Sequence, residues 1–333
     1  MTTWNIQNML NELKELEKRF VSSNDEYEKM LLALSRQTYV EMLDYKGYDT
    51  NVFKLSRWEE NKYKKNFKKD FKDTKYNLKE IINTNYDDFA NLIYNNSINK
   101  ISNIKIDKSS LNKKMSVKCI KQFTKQFDIK LYNHFNYLYK NGYVEFSNYK
   151  NRYYNGACHS INCNNKGYLV IYKCDAVAPV LLHETSHSYE YLIDRKDKAW
   201  QYNVSLFSEV FAILMTLIFD DYLLNTECLQ QSLVDRDDFL KTNIYLAKEL
   251  NKLEKFNQIN DFMYLLNSNI AVAFLNQYND SVKEAKRNIN YFINNNDVCF
   301  SNDLLRSVDI DLDKLYKGEY FKEYNQKCKK LIK

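Results

Sequence analysis

The chain has 333 residues, 44% of them hydrophobic, which is enough for a sizeable core in one large domain or two modest ones. One Pro and five Gly provide little of the turn chemistry that an all-β fold requires, so the composition favours a mostly helical protein. The net charge of +6 is small for this length and its two signs are interleaved, so charge alone does not indicate a nucleic-acid partner.

The N-terminal part of the chain has the spacing of amphipathic helices. Apolar residues recur at helical intervals over residues 4–20, and this stripe needs a partner helix. Two further helices are predicted, at residues 27–45 and 55–82. The lysines of the last stretch could form a nucleic-acid surface, but acidic residues interrupt them, namely Glu59, Glu60, Asp70 and Asp73. A solvated helix face is the better interpretation, and we expect no nucleic-acid partner.

A change of composition divides the chain. Residues 95–114 are rich in Asn, Ser, Lys and Ile and have weak periodicity, which indicates a connector. We therefore predict an N-terminal helical lobe at residues 1–95, a connector at 96–114 and a second domain at 115–333.

Segments for export or membrane insertion are not expected. The first residues lack the basic start and apolar core of a secretory signal. The longest nearly apolar run, residues 206–219, is too short for a bilayer and contains a Glu. Seven cysteines without a signal favour reduced thiols, and the spacing of Cys158, Cys163 and Cys174 is not that of a zinc ribbon. These features predict a cytoplasmic protein with no membrane contact.

A β-hairpin is predicted ahead of the central helix of the second domain. Residues 168–172 are a strand signal after a turn-like stretch, and residues 154–161 are its partner arm. The second arm could pair with an extended substrate, or it could be fully paired within the protein. Asp175 is the candidate N-cap of the helix that follows, with Pro179 in the first turn.

The strongest chemical signal is the sequence His183-Glu184-Thr185-Ser186-His187. On a helix, His183 and His187 lie four positions apart on one face, so both imidazoles can bind one zinc ion with Glu184 beside it. Half of the four histidines of the chain occur in this pattern. Although a lone buried histidine is usually structural, this arrangement predicts a metal site with one Zn²⁺ per chain.

A catalytic zinc has three protein ligands and one open position, so a third ligand is required. Glu209 is the candidate, because it is the one charge in an otherwise apolar run, where a buried carboxylate needs a compensating cation. The alternative interpretation is that Glu209 lies on the exposed edge of a core helix. Glu190 ranks below Glu209 and could instead orient an imidazole, a role that Ser205 or Ser208 could share.

These residues predict metal-assisted peptide hydrolysis, in which Glu184 takes a proton from water and passes it to the leaving amine. The oxyanion needs a further donor. No histidine follows His187, so Tyr264 is the first candidate and Tyr278 the second, with His159 on the hairpin as the alternative. The predicted fold is mainly α. It comprises a helical zincin-like metallopeptidase domain with a small β-hairpin before the active-site helix, and an N-terminal helical lobe.

From about Leu111 onward the chain resembles the oligoendopeptidase F and thimet oligopeptidase family of zinc peptidases. The resemblance rests on Asn155-Gly156-Ala157-Cys158, on the helix from Asp175 to His187, on Ser205-Leu206-Phe207-Ser208-Glu209-Val210, and on Phe262-Met263-Tyr264 with the small residues after it. It implies a gluzincin with a helical fold, a deep substrate channel and short peptides as substrates. The chain departs from the family in Ser186, where Gly is usual, in Glu190, where His is usual, and in a shorter N-terminal lobe.

The leading functional prediction is a zinc-dependent endopeptidase that cuts oligopeptides. A peptide-binding or regulatory protein that keeps the fold without turnover is the alternative. The sequence leaves the peptide, the cleavage position and the oligomeric state open.

Overall fold

The computed structural model describes residues 6–49, 113–151, 155–161, 166–190, 207, 209–250, 259–295 and 302–332. The predicted helix at 55–82 and nearly all of the predicted connector at 96–114 lie outside these residues. The division at 95 and 114 therefore stays a prediction.

The predicted fold class is confirmed, since the described residues form a mainly helical structure with one small sheet. In the described N-terminal residues 6–49 the helices are α1 (Ile6–Ser22) and α2 (Glu26–Tyr45). The next elements are α3 (Lys113–Phe127), α4 (Ile129–Lys140), β1 (Val144–Phe146), β2 (Gly156–Ile161) and β3 (Lys166–Ile171). The remaining helices are α5 (Val177–Glu190), α6 (Val210–Leu223), α7 (Leu229–Leu250), α8 (Ile259–Asp280), α9 (Val282–Asn295), α10 (Asn302–Ser307), α11 (Leu312–Tyr316) and α12 (Glu319–Ile332).

The N-terminal helices α1 and α2 pack against each other, as the apolar stripe of residues 4–20 predicted. Met9, Leu13 and Leu16 are buried in the same hydrophobic core as the helices that follow the sheet. Glu12 also accepts hydrogen bonds from Tyr39 of α2 and from Tyr143, whose Oη lies 3.1 Å from Glu12 Oε1. These hydrogen bonds tie the N-terminal helices to the start of the sheet.

The sheet has the strand order β1-β3-β2. The predicted hairpin is confirmed: β2 and β3 are antiparallel, with Gly156 opposite Ile171 and Ile161 opposite Lys166. The sequence did not predict β1, whose three residues pair in parallel with β3. Because β3 is the central strand with a neighbour on each side, the structure favours the second of the two alternatives for residues 168–172, a strand that is paired within the protein.

Helix α5 begins slightly later than the sequence indicated. The carbonyl of Ala176 accepts the first helical hydrogen bond from Val180 N (3.1 Å), so Asp175 lies one residue before the N-cap position. The side chain of Gln231 supplies the missing cap, because its Oε1 accepts a hydrogen bond from Ala178 N (2.7 Å). Pro179 lies within the first turn, as predicted.

Helices α5 and α6 form the centre of the domain. Every residue of α5 except His183 and His187 is buried, so the helix is accessible at these two imidazoles. Helix α6 is apolar on all sides over most of its length and packs against α5 and α8. Within the part of the chain that the structure describes, no helix combines the length and the apolar character needed to cross a bilayer.

Candidate metal centre

The two histidines of α5 converge on one point. Helical spacing brings the Nε2 atoms of His183 and His187 to 3.1 Å from each other. Their rings are nearly perpendicular, at 84°. Two imidazoles in this arrangement direct a lone pair each towards a common centre.

Glu209 completes the cluster from the next helix. It stands at the N-cap position of α6, and its Oε2 lies 3.3 Å from His183 Nε2 and 3.4 Å from His187 Nε2. Two nitrogen or oxygen ligands of a tetrahedral zinc are about 3.3 Å apart, given bond lengths of about 2.0–2.1 Å. The separations of 3.1–3.4 Å among the three atoms therefore fit a single zinc ion. Among the described His, Cys, Asp and Glu side chains, these three form the group that lies close enough together to hold one metal ion.

The electrostatics of the cluster favour an anionic Glu209. Burial tends to raise the pKa of this carboxyl, but the nearby His187 and His183 lower it below its usual value. Burial likewise opposes protonation of His187, yet Glu209 and Glu190 raise the pKa of its imidazole well above the usual value. Negative charge at the N-terminus of α6 is also favoured by the helix dipole.

Glu184 lies beside the cluster and is not one of its members. Its side chain is buried, and burial raises the pKa of the carboxyl, while the two imidazoles lower it and Glu209 raises it further. A carboxylate with a raised pKa near a metal-activated water suits a general base. The structure thus separates the three possible ligands from a fourth group that can carry a proton.

The outer nitrogen of each imidazole also has a partner. Thr216 Oγ1 donates a hydrogen bond to the carbonyl of Ala212 (2.8 Å) and lies 3.3 Å from His183 Nδ1, from which its lone pair can accept. Glu190 Oε2 lies 3.9 Å from His187 Nδ1. A hydrogen bond such as that of Thr216 fixes the tautomer in which Nε2 is free to bind a metal, and the charge of Glu190 favours a proton on Nδ1 of His187. The sequence suggested Glu190 for this role, whereas Ser205 and Ser208 lie outside the described residues and Thr216 was not predicted.

Tyr264 of α8 lies close enough to the cluster for the charges there to affect the pKa of its hydroxyl. Burial raises the pKa of its hydroxyl, and the carboxylates of Glu209, Asp235 and Glu184 raise it further. The hydroxyl therefore stays protonated and can donate a hydrogen bond.

The other two predicted donors lie elsewhere. Tyr278 is fourteen positions further along α8, about 21 Å at the helical rise, and its ring contacts Phe127 at 6.0 Å between centroids. Gly156 of β2 faces α5, where a Cβ would touch Glu184, so His159 points to the opposite face of the strand. The influence of Glu41 of α2 on the pKa of His159 agrees with that orientation. Neither residue joins the cluster.

Asp235 of α7 is a further group near the site that sequence reasoning missed. Burial raises the pKa of its carboxyl to about 7, and the nearby His183 acts in the opposite direction. Its neighbour Asp220 of α6 is fully buried, which raises the pKa of that carboxyl well above the usual value. The negative charge of Asp235 contributes to this rise, so these two carboxyls need carry only one negative charge between them.

The sequence matches no family model and no curated protein. Solved structures do resemble the chain. One is a protein from Bacillus anthracis str. Ames assigned as an oligoendopeptidase F, with a TM-score of 0.50, 12% identity, and coverage of 96% of this chain and 64% of that one. Another protein assigned as oligoendopeptidase F gives a TM-score of 0.51 and 10% identity, with coverage of 96% and 70%. The chain has the fold of these peptidases. It spans just under two thirds of the first structure's length.

The two departures from the family pattern have different places in the structure. Ser186 is buried and donates a hydrogen bond to the carbonyl of Leu182 in its own helix (2.9 Å), so it does not take part in the cluster. Glu190 faces the outer nitrogen of His187. The departure at Glu190 is therefore the one that lies beside the cluster of His183, His187 and Glu209.

Proposed function

We propose that this protein is a zinc-dependent endopeptidase that hydrolyses oligopeptides. The observation that carries the proposal is the convergence of His183 Nε2, His187 Nε2 and Glu209 Oε2 at separations suited to one tetrahedral zinc ion. The buried carboxyl of Glu184 beside them supplies the proton carrier that metal-assisted hydrolysis needs. The peptidase fold supports a peptide substrate.

Zinc, when bound, supplies Lewis-acid activation of water and of the substrate carbonyl. His183, His187 and Glu209 would hold it, and Thr216 and Glu190 would keep the two imidazoles in the correct tautomer. Glu184 accepts a proton from the attacking water and delivers it to the leaving amine. Tyr264 donates a hydrogen bond to the oxyanion of the tetrahedral intermediate.

The test is to measure zinc content and peptide cleavage on the same purified protein. We expect about one zinc per chain, cleavage of a mixed oligopeptide library, loss of cleavage on removal of zinc with a chelator, and recovery when zinc is returned. Protein without stoichiometric zinc would contradict the proposal. Zinc and peptide binding without cleavage would favour the non-catalytic alternative.

Replacing Tyr264 with phenylalanine is expected to lower kcat by about 10²–10³-fold, the effect of losing one oxyanion donor. Zinc content should be unchanged, because Tyr264 is not among the clustered ligands. Tyr278→Phe is the matched control on the same helix and should keep full activity, since Tyr278 packs against Phe127. Equal activities of the two variants would show that Tyr264 has no such role. Steady-state kinetics on one cleaved peptide measures both.

Removing either partner of the outer imidazole nitrogens is expected to weaken zinc binding by about 10–100-fold. Thr216→Val removes the hydroxyl near His183 Nδ1 and keeps the shape of the side chain. Glu190→Gln removes the charge near His187 Nδ1 and keeps the size. Competition with a chelator of known affinity gives the zinc dissociation constants.

Thr124→Val of α3 is the control for the threonine substitution. Thr124 is also buried and also donates a hydrogen bond to its own helix, to the carbonyl of Ile120 (2.7 Å), but it belongs to a helix outside the cluster. Wild-type zinc affinity in both Thr216→Val and Glu190→Gln would remove the orienting role assigned to them.

A further inference from the structure

One ridge of α5 packs directly on the hairpin. Val180, Glu184 and Ser188 are four positions apart, so their side chains lie in one row along the helix. The row meets two glycines of the sheet, Gly156 of β2 and Gly167 of β3. The chain has only five glycines, and two of them lie where the sheet backbone touches this row.

At Gly156 there is no space for a side chain. A Cβ on this residue would lie 2.6 Å from Glu184 Oε1, 2.8 Å from Glu184 Cγ and 2.7 Å from Val180 Cγ1. All three distances are well inside van der Waals contact, so a Cβ would force something to move. The carboxylate of Glu184 is the free end of a flexible side chain and can move, whereas β2 is held by its pairing with β3. The absence of a side chain at Gly156 thus leaves the space that the Glu184 carboxylate occupies.

We propose that Gly156 is a positioning residue for Glu184: its bare backbone makes the space in which the Glu184 carboxylate is held beside the metal centre. The expected effect on catalysis rests on the proposed function, whereas the expected displacement of the Glu184 side chain rests on the contact distances alone. Gly156 has no side chain of its own, so its influence on the reaction is through the position of Glu184. Alanine here should displace the carboxylate and leave the zinc ligands in place.

Gly167 provides the matched comparison, because it makes the same kind of approach one turn further along the row. A Cβ there would lie 2.4 Å from Cys158 Sγ and 3.0 Å from Ser188 Cβ. The N–H of Gly167 donates a hydrogen bond to Ser188 Oγ (2.9 Å), which in turn lies 2.9 Å from Nε2 of the buried His134. Crowding at Gly167 would disturb this polar contact and not Glu184.

Val180 allows the two contacts of Gly156 to be separated. In Gly156→Ala the new Cβ meets both Val180 and Glu184, whereas in the double variant with Val180→Ala the contact with Val180 is gone and that with Glu184 remains. If Glu184 is the functional contact, the loss of activity persists in the double variant. If the effect comes from general packing against Val180, removing that side chain should restore activity in the double variant.

The experiment compares Gly156→Ala, Val180→Ala, their double variant and Gly167→Ala in kinetics, zinc content and thermal unfolding. We expect Gly156→Ala to lower kcat by about 10²-fold, as for a misplacement of about 1 Å, with KM and zinc content near wild type. The value of kcat should fall by the same factor when Gly156→Ala is added to Val180→Ala. Gly167→Ala should lower the unfolding temperature with a smaller effect on kcat. Full activity of Gly156→Ala, or recovery of kcat in the double variant, would overturn the proposal.

A crystal structure of the metal-free double variant gives a readout that does not depend on activity. We expect the Glu184 carboxylate to be displaced from its wild-type position while His183, His187 and Glu209 keep theirs. An undisplaced carboxylate would refute the inference even if the enzyme is a zinc peptidase. Conversely, a wild-type protein without zinc or cleavage would refute the proposed function and leave the displacement of Glu184 as a separate result.

Discussion

Replacing Glu184 with glutamine is expected to lower kcat for peptide hydrolysis by about 10²–10⁴-fold, the range for loss of a general acid–base group. Glutamine has the size of glutamate and keeps the contact with Gly156, but it cannot accept a proton from water. Zinc should remain bound at one per chain, because Glu184 is not in the cluster of possible ligands. The measurement is kcat on one peptide together with zinc content on the same preparation.

The control for this substitution is Glu284→Gln, at an exposed position in the first turn of α9. It makes the same chemical change at a position outside the cluster, and we expect wild-type kinetics. Cleavage by Glu184→Gln at the wild-type rate would contradict the assigned role. Loss of zinc together with activity would show instead that Glu184 supports the metal site.

The part of the site that could be predicted from sequence is the part that local geometry determines. Helical spacing alone places His183 and His187 on one face with Glu184 next to them. Glu209 could be inferred because a lone carboxylate in an apolar run needs compensation. Its place at the N-cap position of α6, and not on a helix face, needed the structure.

The residues that were missed act across elements. In the sequence, Thr216 has the pattern of a core position in an apolar helix. Its contact with His183 depends on the packing of α6 beside α5. Asp235 comes from α7, and nothing in the sequence shows that this helix approaches the site. Gly156 belongs to the segment Asn155-Gly156-Ala157-Cys158 that carries the family resemblance, but its contact with Glu184 depends on how closely β2 lies on α5.

The fold shows the same difference between features that local sequence patterns predict and features that only tertiary contacts determine. Helical periodicity predicted α1 and α2, and a strand signal after a turn-like stretch predicted the hairpin. Strand β1 has three residues, too few for an alternation to be recognised, and it pairs with β3 only through tertiary contact. That pairing makes β3 central, and it also removes β3 as a strand for substrate.

Replacing Glu209 with alanine is expected to weaken zinc binding by more than the roughly 10–100-fold that loss of an outer partner produces, and to abolish cleavage at limiting zinc. The metal-free protein should remain folded, because the Glu209 side chain makes no capping hydrogen bond to α6. Loss of metal can thus be distinguished from loss of fold.

Thermal unfolding with and without added zinc measures this difference. Zinc that binds the folded chain raises the unfolding temperature in proportion to the logarithm of its concentration over the dissociation constant. Wild-type protein should show that rise, Glu209→Ala should show little of it, and the control Glu227→Ala, in the exposed turn after α6, should behave as wild type. A full zinc-induced rise in Glu209→Ala would mean that another group is the third ligand.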